Sequence, residues 1–94
     1  MKSIGLDIGT TTICALVLGN DDQILYKVTV DSNSFLLSQY EWEKIQDVHI
    51  IISKALKLIE NCLSQYNDIQ YIGLTGQMHG IVYVDDAGKA MSPL

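Results

Sequence analysis

Apolar and polar positions change their rhythm along this chain, and each change marks an element. In residues 3–9 (SIGLDIG), Ile4, Leu6 and Ile8 alternate with Gly5, Asp7 and Gly9, the period of a half-buried strand. Thr10 and Thr11 follow as a turn. Residues 12–18 (TICALVL) are apolar after the first position, which predicts a second strand paired with the first as a hairpin. The turn formers Gly19, Asn20, Asp21 and Asp22 come next, and then Ile24, Tyr26, Val28 and Val30 alternate with Leu25, Lys27, Thr29 and Asp31. That alternation predicts a third antiparallel strand. Residues 32–39 mix Ser and Asn with Phe35, Leu36 and Leu37, giving a loop with one hydrophobic anchor.

From about residue 42 to residue 66 the period lengthens. Ile45, Val48, Ile52, Ala55, Leu56, Ile59, Cys62, Leu63 and Tyr66 recur at threes and fours, covering an arc of roughly 120° on a helix, with Ile51 and Leu58 widening it. Lys54, Lys57, Asn61 and Ser64 fall opposite, so one long amphipathic helix is expected. Asn67 and Asp68 end it, residues 69–75 (IQYIGLT) have the composition of a buried strand, and residues 76–80 (GQMHG) form a loop bracketed by glycines. Residues 81–84 restart a strand that turns at residues 85–88.

The fold class predicted is α/β: three antiparallel strands, one long helix, a parallel fourth strand and a final hairpin. A crossover through a helix makes the fourth strand parallel to one already placed. If it lies beside the first strand, the loops at the two carboxyl ends, residues 7–12 and 76–79, open on the same edge of the sheet.

Composition narrows the function classes. Ninety-four residues with 48% hydrophobic and 18% charged content suit a single folded domain. The net charge of −5, with no Lys or Arg run, gives no footprint for a nucleic acid. The apolar start is short and broken by Asp7, unlike a signal segment or membrane span, so a cytoplasmic protein with no membrane contact is expected. Cys14 and Cys62 lie in apolar surroundings without a second Cys or His at metal-ligand spacing, and are read as reduced core thiols.

Two segments carry candidate chemistry. In DIGTTT, Asp7 sits on an otherwise apolar strand, where an unpaired buried carboxylate would cost roughly several kcal/mol. A magnesium ion between Asp7 and nucleotide phosphates would compensate it, because Mg²⁺ takes one or two carboxylates together with phosphate oxygens. Gly9 permits close backbone approach, and the turn amides with the hydroxyls of Thr10, Thr11 and Thr12 offer donors to phosphate. A plain hairpin corner with threonines of high β propensity is the structural alternative. In TGQMHG, Gln77 can donate or accept, His79 can do either by tautomer, and Met78 offers an apolar contact to the carbon face of a sugar. A surface-loop histidine is the alternative there.

Together, GLDIGTTT near the start and GLTGQMHG further on resemble the amino-terminal region of FGGY carbohydrate kinases, most closely xylulokinase-like and sedoheptulokinase-like members. The resemblance covers essentially the whole chain. It implies part of an RNase H-like half-domain of the actin and hexokinase superfamily, with ATP and a sugar bound in a cleft between two such domains. Residue by residue, it implies that Asp7 lies near Mg-ATP, that Thr10 and Thr11 belong to the phosphate-contacting turn, and that Gln77, Met78 and His79 contact sugar. The catalytic base of such kinases is a downstream aspartate, expected beyond Leu94, so residues 1–94 are expected to be a truncated and inactive amino-terminal domain. Surfaces left uncovered are expected to drive self-association.

Two rival classes are weighed against this. An actin-like regulatory or assembly ATPase would share the first motif but has no need of a sugar-facing loop at residues 76–80. A nuclease on the same scaffold needs several clustered carboxylates, which the sequence does not supply.

Overall fold

A computed structural model describes residues 1–77 and 80–94. Four strands form one sheet in the order β3-β2-β1-β4, where β1 is Lys2–Ile8, β2 is Thr12–Leu18, β3 is Ile24–Asp31 and β4 is Ile69–Gly76. β1 pairs antiparallel with β2 and β2 with β3, while β4 runs parallel to β1. The helix α1, Val48–Gln65, connects β3 to β4. The expected topology is therefore present, including the adjacency of the first and fourth strands.

Alternation decides which side of the sheet is covered. Ile4 and Leu6 of β1 and Ile13, Ala15 and Val17 of β2 are buried, and they pack with Ile51, Ala55, Leu58 and Cys62 of α1. Tyr26, Val28 and Val30 of β3 flank that core on the same face. Each large side chain so buried contributes about 1.5–3 kcal/mol from lost apolar hydration. Cys62 belongs to this core, and burial pushes its thiol pKa up. Cys14 does not: it is half-buried on the uncovered face, opposite Asp7 in the β1–β2 register.

The helix is also tied to β3 by polar contacts. Lys54 Nζ donates to the carbonyls of Asp31 and Ser32, both at 2.7 Å. Asn61 donates to the Tyr26 hydroxyl at 2.9 Å, and the Tyr66 hydroxyl donates to the Leu25 carbonyl at 3.0 Å. Lys54 and Asn61 thus bridge to the sheet instead of lying on a purely solvated face.

Four expectations are corrected. The helix begins at Val48, not near residue 42, because Asp47 caps it: its carboxylate accepts from the amides of His49 and Ile50 at 2.9 and 3.4 Å. Residues just before the cap are extended, with Leu36 N–H donating to Ile45 O and Asp47 N–H donating to Ser34 O. Within α1, Ile52, Leu56 and Leu63 are exposed, so only one flank of the apolar arc is used. β4 is not buried, with Tyr71 at 62% and Leu74 at 69% exposure on an edge that α1 does not cover. In the loop after β3 the anchor is polar: Ser32, Ser34 and Gln46 are buried while Phe35 stays half exposed.

The final hairpin is reduced to one antiparallel bridge between Val84 and Ala90. Gly88 closes its turn at φ 83°, a conformation that favours glycine, with its amide donating to Asp85 O. No helix among the described residues is long and apolar enough to cross a membrane.

Candidate functional site

Parallel pairing places Ile8 beside Gly76, so the chain leaves β1 and β4 on the same edge. The turn after β1 is tight, with Gly9 N–H donating to Thr12 O at 2.9 Å. A Cβ on Gly9 would stand 2.9 Å from that same carbonyl, so the turn has no room for one. Gly9→Ala is expected to open the turn and cost about 1–3 kcal/mol. Gly73→Ala, with nothing within 4 Å of the added atom, serves as a control expected to stay within about 0.5 kcal/mol in thermal unfolding.

Thr10, Thr11 and Thr12 are exposed, and among the described residues their hydroxyls make no hydrogen bonds. The amides of Thr10 and Thr11 likewise donate to no described group. An exposed turn with unengaged amides and hydroxyls fits a phosphate ligand, since those are the donors that phosphate oxygens accept.

Asp7 is exposed, not buried, and no described hydrogen bond or ion pair engages its carboxylate. The burial argument for a compensating cation therefore falls away. What replaces it is an unpartnered carboxylate on the uncovered sheet face, in a shallow concavity of about 310 Å³ shared with Gly5, Cys14, Gly73 and Thr75. A hydrated Mg²⁺ fits such a carboxylate, which has lone pairs free and water access.

Gln77 continues from β4 and reaches back to the first turn. Its Nε2 donates to Gly9 O at 3.3 Å and to Gln46 Oε1 at 2.8 Å. Gln46, only 2% exposed, donates from its own Nε2 to Thr10 O at 3.0 Å. The Ser32 hydroxyl donates to the same Thr10 oxygen at 3.2 Å, and Ser34 donates to Ser32 at 3.2 Å. Buried polar groups are costly unless paired, and among the described residues none is left unpaired. Gln46 also exchanges two backbone hydrogen bonds with Leu94, at 2.9 and 3.0 Å.

Thr10, Gln46 and Gln77, with Phe35, Ile45 and Leu94, line an open cleft of about 690 Å³. Asp7 lines the other concavity, so the structure joins Gln77 to the turn at Gly9 and Thr10 but sets the Asp7 carboxylate on the adjoining face. Met78 and His79 lie outside the described residues. Sequence reasoning missed Gln46, Ser32 and Ser34. Their signal was a serine pair directly after a strand and a glutamine directly before a helix cap, which marks polar groups but not their partners.

A mixed four-stranded sheet with a single covering helix and both motif loops on one edge is the architecture of an amino-terminal half-domain of the actin- and hexokinase-like kinase fold. The chain belongs to the FGGY family of carbohydrate kinases, whose N-terminal domain it matches over residues 2–94. It is 30% identical over 92 residues to the xylulose kinase of Staphylococcus xylosus, covering 96% of this chain and 19% of that protein. A ligand-bound xylulose kinase from Lactobacillus acidophilus superposes with a TM-score of 0.85 at 17% identity, covering 98% of this chain and 19% of that one. A gluconate kinase from the same organism gives 0.82 at 18% identity, covering 98% and 18%. The chain thus spans about one-fifth of the length of these relatives.

Proposed function

We propose that this chain is the amino-terminal part of a cytoplasmic ATP-dependent carbohydrate kinase that transfers the γ-phosphoryl group of ATP to a hydroxyl of a ketose such as xylulose or sedoheptulose. The observation that carries this reading is the hydrogen bond from Gln77 to Gly9, which ties the loop after β4 to the turn after β1. In this reading the amides and hydroxyls at Thr10, Thr11 and Thr12 orient nucleotide phosphate, with Gly9 keeping the turn tight. Asp7 would hold magnesium through the waters that a hydrated Mg²⁺ keeps. Magnesium, when bound, supplies charge neutralisation at the phosphates. Gln77, Met78 and His79 position the sugar, and the proton acceptor for its hydroxyl lies outside residues 1–94.

Residues 1–94 alone are then a domain without turnover. The exposed flank of Ile52, Leu56 and Leu63 and the open edge of β4 favour self-association of the isolated chain, which sedimentation velocity would detect.

The full-length kinase should phosphorylate a ketose from a panel of pentuloses, heptuloses and sugar acids in the presence of ATP and Mg²⁺. His79→Ala should raise KM for the sugar about tenfold while changing KM for ATP much less. ATP hydrolysis that no sugar in the panel stimulates would instead favour an actin-like regulatory ATPase.

A further inference from the structure

The two donor positions of Gln77 are already occupied. Its Nε2 carries two hydrogens, and they go to Gly9 O and Gln46 Oε1. The oxygen and nitrogen of an amide are told apart by the network they join. Here the network has one solution, because Gly9 O and Thr10 O are carbonyls that can only accept. Turning the Gln46 amide over would set its oxygen against Thr10 O and its NH₂ against the NH₂ of Gln77. The order of donation therefore runs from Gln77 to Gln46 to Thr10, and Gln46 is locked in it by near-complete burial. Only Oε1 of Gln77 remains for a ligand, on the side where Gly80 lies; a Cβ on that glycine would stand 3.7 Å from it.

We infer that Gln46 is a specificity-setting positioning residue: it fixes the amide of Gln77 so that an acceptor alone faces the cleft, and the substrate group met there is a hydroxyl that donates. This rests on the carbohydrate-kinase reading and deepens it. Gln46 touches no substrate in this scheme and acts through Gln77. A carbonyl, ether or carboxylate oxygen at the same place would face the amide oxygen lone pair to lone pair. A site built to receive one hydroxyl rejects analogues that cannot donate.

The test uses the full-length kinase, a ketose it phosphorylates, and analogues in which single hydroxyls are replaced by hydrogen, fluorine or an amino group. At the hydroxyl that meets Gln77, hydrogen and fluorine are each expected to raise KM by about tenfold, whereas the amino group, which still donates, keeps most of the affinity. In Gln46→Met the amide of Gln77 loses the shorter of its two hydrogen bonds and is held only by the 3.3 Å contact to Gly9 O, so it turns more readily, and the penalty for fluorine at that position is expected to shrink to less than about threefold. Gln46→Glu keeps an acceptor toward Gln77 and should retain the wild-type penalty, even where loss of donation to Thr10 raises KM for ATP. A merely structural role for Gln46 would shift all analogues alike and leave their ratios unchanged, which overturns the inference. So does a wild-type enzyme that tolerates fluorine at every position where hydrogen is costly, and this series decides the matter even if Gln46→Met does not fold. Those results leave sugar phosphorylation intact, whereas an enzyme that phosphorylates no sugar overturns both readings together.

Discussion

Asp7→Ala in the full-length kinase is expected to lower turnover by about 10²–10³-fold, the usual effect of removing one group that stabilises charge at a reacting centre. The same substitution is expected to leave the unfolding free energy within about 0.5 kcal/mol of wild type, because the carboxylate is exposed and engages no described partner. That separation of activity from stability is the informative part. A hairpin-corner aspartate would show the reverse, a small kinetic effect. Asp31→Ala is the control, since that carboxylate lies opposite Thr12 across the β2–β3 pairing, near the same edge. Steady-state kinetics with ATP as the varied substrate and urea denaturation of both variants provide the two readouts.

The second large effect concerns stability. Ile13 is fully buried at the beginning of β2, within the cluster that joins the sheet to α1. Ile13→Ala is expected to cost about 2–5 kcal/mol through lost burial and the cavity left behind. For a small domain with total stability of about 5–15 kcal/mol, that is a large fraction. In urea the midpoint should fall by roughly 1–3 M, since the slope for small proteins is about 1–3 kcal/mol per molar. Leu56→Ala, at 54% exposure on the unused flank of the helix, should move it far less. Comparable losses at the two positions would mean that the helix packs through its other side.

The contrast between those two positions shows what the sequence could and could not reveal. The strands were legible because β1 and β3 alternate and β2 is a short apolar run between turn formers, and β2 and β3 fall on the residues so marked. The beginning of α1 was obscured because Trp42 and Ile45 happen to continue the helical spacing, although Trp42 lies in a turn closed by Glu43 N–H donating to Tyr40 O and residues 45–47 are hydrogen-bonded to residues 34–36. Asp47 before Val48 was a readable cap, yet periodicity outweighed it. Which flank of the helix is buried depends on the sheet it meets, a non-local fact, and Ile52 and Leu63 satisfy the same spacing rule as Ala55 and Cys62.

Within the candidate site, the two motif loops were legible as segments and the topology argued that they share an edge, which the β1–β4 register bears out. Their connection was not. Gln46 is one polar residue in a stretch without periodicity, and only the fold shows that its side chain spans from Gln77 to Thr10. The burial of Asp7 was overestimated because its strand neighbours are apolar, but their side chains point to the covered face while Asp7 points away from it. Gln77 was read as able to donate or accept, and its neighbours leave it only the second role.

The pairing of β1 with β4 also orders the events of folding. β1, β2 and β3 are joined by short connections and can meander into register early, whereas the bond from Gln77 to Gly9 closes a separation of 68 positions. Closing so long a loop has an entropic cost that local hairpins do not face, and such non-local pairing slows folding. The turn after β1 can therefore exist in a partly folded chain, but the edge it shares with the end of β4 is assembled only when the last strand docks. A kinetic intermediate holding the three-stranded meander alone would have native-like strand signals but lack the hydrogen bond from Gln77 to Gly9.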